Sequence, residues 1–196
     1  MSINLSKGQS VNLAKNDGGA LSRVRMGLGW DTKVVTKKGL FGGSKQVQRA
    51  IDLDASAIVI GGGRVLDTVY FGKLRSGDGA IQHTGDNLTG EGEGDDESIV
   101  VDLPQVHGSV EHIVFVVNSY SGENFTEVDN AFVRVVDSMA GDTELARFQL
   151  TGSGSHTALV MAKVSRTGAG WQFTAIGTPG NGRTARDLEP LAMSAV

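Results

Sequence analysis

Ile51-Asp52-Leu53-Asp54-Ala55-Ser56-Ala57 alternates apolar and polar residues without a break. Successive side chains of an extended chain point to opposite faces. The spacing therefore puts Ile51, Leu53, Ala55 and Ala57 on one face and Asp52, Asp54 and Ser56 on the other. A helix of 3.6 residues per turn would scatter both sets around its axis. The stretch is predicted to be a strand with one buried face.

The same period recurs on both sides of it. Val24, Met26, Leu28 and Trp30 alternate with small or polar residues. Strand-like runs, several rich in Val, Ile and Phe, occupy 66–71, 98–103, 112–118, 131–137, 145–150, 158–165 and 171–176. Turn signals separate most of them, the clearest being Asn16-Asp17-Gly18-Gly19, Gly77-Asp78-Gly79 and Gly168-Ala169-Gly170. Gly61-Gly62-Gly63 gives neither G-x-G-x-x-G nor a P-loop spacing and reads as a hairpin turn. Helical patterns are short: one turn at Leu103-Pro104-Gln105-Val106, one at 126–130 with Thr126 as N-cap, and one at 184–192 broken near Pro190. Many short strands with few helices predict an all-β fold, a two-sheet β-sandwich with a few short helices. No linker or internal repeat divides the chain, so residues 1–196 are expected to form a single β-sandwich domain.

Composition narrows the chemistry. There is no cysteine, which excludes disulfides, thiolate metal sites and thiol redox chemistry. Met1-Ser2-Ile3-Asn4-Leu5 lacks the basic and apolar blocks of a signal peptide, and no apolar run approaches the roughly 20 residues of a membrane span. A cytoplasmic protein without a membrane span is expected. The net charge is −4, yet residues 85–98 hold six acids and no Lys or Arg, so the remainder is slightly basic. Such unevenness points to a cation partner and away from nucleic acid.

That segment is Gly85-Asp86-Asn87-Leu88-Thr89-Gly90-Glu91-Gly92-Glu93-Gly94-Asp95-Asp96-Glu97. Its carboxylates repel one another unless a cation lies among them. Glycines at 90, 92 and 94 allow left-handed backbone that turns carbonyls inward. Carboxylates and carbonyls are hard oxygen ligands. Calcium takes about six to eight of them in flexible geometry, whereas magnesium demands a stricter octahedron. Zinc would want Cys or His, which the loop lacks. Asp86 and Glu97 fit the ends of a twelve-residue EF-hand window, but Leu88 and Glu91 occupy its third and sixth positions, so the loop is not an EF-hand. Asp31, Asp52 and Asp54 are acids that could complete such a site from neighbouring strands. The plain alternative is a solvated acidic loop.

A second uneven stretch, 33–49, carries Lys33, Lys37, Lys38, Lys45 and Arg49 and no acid. With Gly39-Leu40-Phe41-Gly42-Gly43 at its centre it reads as a basic hairpin, either an edge blunted by lysines or a contact for an acidic partner.

Several stretches together resemble the TerD family of tellurium-resistance and stress-response proteins. They are Leu5-Ser6-Lys7-Gly8-Gln9, Gly27-Leu28-Gly29-Trp30-Asp31, Asp52-Leu53-Asp54-Ala55-Ser56, the acidic loop, Asn130-Ala131-Phe132-Val133-Arg134 and Phe173-Thr174-Ala175-Ile176-Gly177. The resemblance implies a β-sandwich with two neighbouring calcium sites around the acidic loop and a role in resistance to tellurite and other stresses. It makes Asp31, Asp54, Asp86, Asn87, Gly90, Glu91, Glu93, Asp95, Asp96 and Glu97 the expected metal ligands, Ca2+ the expected cofactor and other stress-response proteins the expected partners. The basic stretch 33–49 looks longer than the usual family connection. Lacking cysteine, the chain has no thiol with which to reduce tellurite.

Other classes fit less well. His83, His107, His112 and His156 have no metal-ligand spacing and read as surface or packing residues. Ser119-Tyr120-Ser121-Gly122 has no strand–elbow–helix context for a hydrolase. Paired carboxylate catalysis wants one carboxyl in an apolar pocket, which a Gly-rich acidic loop does not offer, so no enzyme is expected. A calcium-dependent adhesion or carbohydrate-binding module shares the sandwich and the loop. The missing signal peptide and an aromatic content of 6% count against it.

Overall fold

The computed structural model describes residues 2–15, 18–31, 33–38, 44–49, 51–85, 94–150 and 154–196, with backbone alone for 33–38, 44–49 and 129. Of the expected metal ligands, Asp86, Asn87, Gly90, Glu91 and Glu93 lie outside the described residues, as do Asn16, Asp17 and the glycine-rich tip 39–43.

Strands β1 (Ile3–Asn4), β2 (Ser10–Asn12), β3 (Arg23–Asp31), β4 (Lys33–Lys38) and β5 (Ser44–Arg49) open the chain. They are followed by β6 (Leu53–Gly61), β7 (Arg64–Val69), β8 (Ile81–His83), β9 (Glu97–Asp102) and β10 (His112–Ser119). The last are β11 (Asp129–Asp137), β12 (Thr143–Gln149), β13 (Ala158–Thr167) and β14 (Gly170–Gly180). Two six-stranded sheets result, ordered β1-β12-β11-β3-β9-β8 and β2-β14-β13-β10-β6-β7. The basic stretch forms a separate two-stranded hairpin, β4-β5, with Lys37 opposite Lys45. Apart from β1 with β12, the paired strands run antiparallel.

The alternating residues fill the space between the sheets. Val24, Met26, Leu28 and Trp30 of β3 join Leu53, Ala55 and Ala57 of β6 and Ile113, Phe115 and Val117 of β10 in one buried cluster. Trp30 spans the layer, its indole N–H donating to the Ile51 carbonyl at 3.0 Å. Each buried Val, Leu, Ile, Met or Phe among them adds about 1.5–3 kcal/mol to the assembly of the two sheets, and each alanine less.

The opposite face of β6 departs from the expectation of a polar outer surface, because every residue of β6 is buried. Ile58 and Ile60 of β6, with Val114 and Val116 of β10, form a second cluster under Leu188 and Ala192. The uninterrupted Ile58-Val59-Ile60 is the sequence trace of burial on both faces. The cover is the C-terminal segment, a 3-10 turn Ala185–Leu188 leading into helix α1 (Glu189–Met193). Thr184 caps it in a reciprocal box with Asp187, and Pro190 lies in the first turn of α1, so it starts the helix and does not break it. The turn at Phe125–Glu127 is capped by Asn124, two residues before the expected Thr126, because the Asn124 side chain accepts from the Thr126 N–H. Gly62 and Gly63, at φ +59 and +68, make the β6–β7 hairpin turn, which needs left-handed backbone at both positions. Among the described residues, no helix is long and apolar enough to cross a membrane.

Candidate metal centre at the stem of the acidic loop

The loop leaves β8 and returns into β9, and both ends are tied to the fold. On the outgoing side, the Thr84 N–H and hydroxyl donate to the Ser98 carbonyl at 3.0 and 3.1 Å. The Gly85 N–H donates to His83 Nδ1 at 3.1 Å. His83 is 1% exposed, and its Nε2 lies 3.1 Å from the Ala55 carbonyl. Accepting at Nδ1 leaves the proton on Nε2, which fixes the neutral tautomer. On the return side, the Asp96 N–H donates to the Leu28 carbonyl at 2.8 Å.

Three consecutive acids then face three different environments. Asp95 lies over the outer face of the first sheet, where it takes Arg134 Nε at 2.6 Å and also pairs with Arg25 Nη1. Its side chain is only 4% exposed, so Asp95 is buried in the stem. The network continues from Arg25 to Asp142 at 3.0 Å, and from Arg134 through Glu144 to Arg147. Glu97 turns the other way, into the interior, and accepts from the Ala55 N–H at 2.6 Å. Asp96, between them, accepts from the Trp30 N–H at 2.9 Å and opens onto a cavity.

That cavity, of about 390 Å³, is shared by Asp31, Asp96, Asn130 and Gln149, with Trp30 and Gly94 at its wall. Asp31 ends β3, and its carboxylate accepts from Asn130 Nδ2 at 2.6 Å. Asn130 itself sits at φ 52, left-handed backbone suited to asparagine, at the irregularity where β11 shifts register against β3. Arg147 also borders the cavity, but its guanidinium lies 3.9 Å over the Phe132 ring and pairs with Glu144 at 2.8 Å.

Burial raises the Asp96 carboxyl pKa above its ordinary value. The Trp30 N–H opposes this, and the negative charges of Asp31, Asp95 and Glu97 push it further up. Crowded anions that disfavour one another's charge are the electrostatic counterpart of a cation site. Among the described residues no three Asp, Glu or His side chains gather as a metal site, so the cavity offers two carboxylates and two side-chain amides, hard oxygens that further ligands would have to complete. Calcium fits this set better than zinc.

Glycine shapes the stem as much as charge does. A Cβ on Gly27 would collide with the Asp95 carboxylate, and one on Gly29 would stand 2.5 Å from the Gly94 carbonyl and 2.4 Å from the Phe132 ring. Gly27-Leu28-Gly29-Trp30 therefore places large side chains inward and leaves the outer face open for the returning loop.

Of the described candidates, Asp31 and Asp96 meet at one cavity. Asp95 and Glu97 are spent on the stem. Asp54 lies elsewhere, on the outer face of the second sheet, where it accepts from Asn118 Nδ2 at 3.0 Å and lines a different cavity. Sequence reasoning missed Asn130, Gln149, Arg25, Arg134 and the bridging role of His83. The His83 signal was available, because Ile81-Gln82-His83 puts the histidine on the same face as a core isoleucine.

Comparison with known proteins gives a consistent result. A family model described as TerD domain matches residues 1–193. The chain is 47% identical over 195 residues to tellurium resistance protein TerZ of Serratia marcescens, covering 99% of this chain and 98% of that one. It is 40% identical over 201 residues to stress response protein SCP2 of Bacillus subtilis (strain 168), covering 96% and 98%. Among solved structures, a homologue of telluride resistance protein (TerD) from Streptomyces coelicolor A3(2) superposes with a TM-score of 0.70 at 23% identity. That alignment covers 88% of this chain and 98% of the other, and it shows a shared fold.

Proposed function

The chain belongs to the TerD family of tellurium-resistance and stress-response proteins, and on that premise we propose that it works as a calcium-binding member of that group. The observation that carries this reading is the convergence of Asp31 and Asp96 on one cavity beside the returning arm of the acidic loop. Asp31 and Asp96 supply carboxylates there, and Asn130 and Gln149 supply amide carbonyls. Asp86, Asn87, Gly90, Glu91 and Glu93 are proposed as further ligands from the loop, for about two ions, the number the family resemblance implies. Asp95 and Glu97 hold the stem in register and act through it. Bound calcium would supply the positive charge that turns repulsion among these carboxylates into attraction. The ordered loop would then present a surface to other stress-response proteins.

Thermal unfolding tests the reading. A ligand that binds only the folded chain adds about 2.7 kcal/mol at 100 times its Kd. For a chain of this length that raises Tm by several degrees, at about 2–4 °C per kcal/mol. Calcium should produce this shift over chelator, and magnesium should produce much less. Identical melting curves in chelator and calcium would overturn the proposal.

A further inference from the structure

The cavity that holds Asp54 lies on the outer face of the second sheet, away from the loop stem. It encloses about 370 Å³, within the range of small-molecule sites. Its floor is made by Asp54 and Ser56 of β6 and Asn118 of β10, with Asp54 directly opposite Asn118 in register. These side chains continue the same face that, further along, is the apolar cluster of Ile58, Ile60, Val114 and Val116. Asp54, Ser56 and Asn118 are 4%, 1% and 1% exposed. Packing alone would fill this end of the face with more aliphatic residues, because burying polar groups is unfavourable unless each finds a partner.

One of them does not. Asn118 Nδ2 donates to Asp54 Oδ2 at 3.0 Å and to the Arg183 carbonyl at 2.8 Å. Both partners are acceptors, so the amide orientation is settled by its own bonds. Its Oδ1 has no hydrogen-bond partner among the described residues. A buried acceptor left unsatisfied costs about 1–3 kcal/mol. Asn118 lines the cavity, so a donor bound there would satisfy this acceptor.

The walls indicate what kind of donor. Tyr70 and Phe71 form one side, edge-on to each other at 5.5 Å, and Tyr120 extends the aromatic edge at 6.0 Å from Phe71. Gly72 holds this arrangement, since a Cβ there would stand 2.6 Å from the Tyr70 ring. Phe71 is 39% exposed and Tyr120 52%, large aromatic faces left at the rim of a cavity. The C-terminal segment adds the Glu189 carboxylate and the Arg186 guanidinium, so with Asp54 the lining holds two carboxylates to one cation. Acceptors at the floor and π faces at the wall together suit a positively charged donor on an apolar body.

We propose that this cavity is a binding site for a small organic cation, a primary ammonium on an apolar or aromatic body, whose N–H groups reach Asn118 Oδ1 and the Asp54 carboxylate while Tyr70 and Phe71 flank the body. The site opens on the outer face of the second sheet, apart from the cavity of Asp31 and Asp96, and takes its ligand whether or not calcium is bound.

The test is an NMR titration of the 15N-labelled full chain with benzylammonium, run once in calcium and once in chelator, with benzyl alcohol as the neutral control. Benzylammonium should give saturable shifts of the Asn118 side-chain amide and the Ser56 backbone amide in both buffers, with at least 10-fold weaker binding of benzyl alcohol. Asn118→Ala should weaken benzylammonium at least 10-fold. Phe71→Ala, a change at an exposed position that leaves the fold intact, should weaken it several-fold, so the proposal stays testable if Asn118→Ala unfolds. Equal binding of benzyl alcohol, no saturable shift, or shifts of the Asn118 amide produced by calcium alone would each overturn it.

Discussion

The Ala55 N–H donates to the Glu97 carboxylate at 2.6 Å, so a side chain from the first sheet takes the place of a neighbouring strand in the second. Strand β7 begins its pairing with β6 at Ala57, two residues further on. At Ala55 the gap is closed from the other layer: Glu97 accepts from the N–H, and His83 Nε2 meets the carbonyl at 3.1 Å. Both side chains flank the acidic loop, one at each end. The loop stem and the core strand are thereby a single hydrogen-bonded unit. Glu97→Ala leaves a buried backbone donor unsatisfied and should cost about 1–3 kcal/mol in urea unfolding. Glu97→Gln keeps an acceptor and should cost less. Equal stability of wild type and Glu97→Ala would contradict this role.

Gly29 tests the steric side of the stem. A Cβ there meets the Gly94 carbonyl, which is backbone, and the Phe132 ring. Backbone cannot rotate away, so the returning arm must shift. Gly29→Ala should destabilise the fold by about 1–3 kcal/mol, the usual cost of overpacking, and should weaken calcium binding with it. Unchanged calorimetric affinity in this variant would mean that the returning arm is not part of the site.

Acid stability should expose the arginine–carboxylate network. Burial alone would raise the Glu144 pKa, but bonds from Arg147, Ser2 and Arg134 hold it down to about 2. A folded pKa below the unfolded one means that the unfolded chain takes up the extra proton as pH falls. The contribution of Glu144 is therefore fully present above its ordinary carboxylate value and is lost as pH falls through about 2. The Tm difference between wild type and Glu144→Gln should shrink steadily over that window. A difference independent of pH would show that the charge of Glu144 contributes nothing.

Asp96 has the opposite sign. Its raised pKa means that the fold penalises the charged form, with stability lost as pH rises through the folded value. In chelator at neutral pH, Asp96→Asn should melt at or slightly above wild type, since an amide oxygen can still accept from the Trp30 N–H. In calcium the order should reverse. A variant less stable than wild type in both buffers would make Asp96 a structural residue only.

The sequence and the structure agree where one physical rule operates alone. Alternation in β3 and in the first half of β6 predicted strands, and the inward faces are the residues it selected. Where two layers compete for one strand, alternation was insufficient. The outer face of β6 is buried by a C-terminal segment more than a hundred residues away in sequence; Ile58-Val59-Ile60 marks burial on both faces but not what covers the outer one. The same limit applies to the acids. Density of charge marked the loop, but the division of Asp95, Asp96 and Glu97 among a salt network, a cavity and the core depends on partners from three other strands, β11, β3 and β6. The basic stretch was legible as a hairpin because its register is local.

Calorimetric titration of chelator-treated protein with calcium, comparing wild type, Asp31→Asn and Asp96→Asn, tests the central claim most directly. Saturable calcium binding by wild type, with much weaker magnesium binding and at least a 10-fold loss of calcium affinity in each variant, is the predicted result. Wild type that releases no heat and shows no saturation, or variants that bind as tightly as wild type, would contradict a calcium site at the stem of the acidic loop.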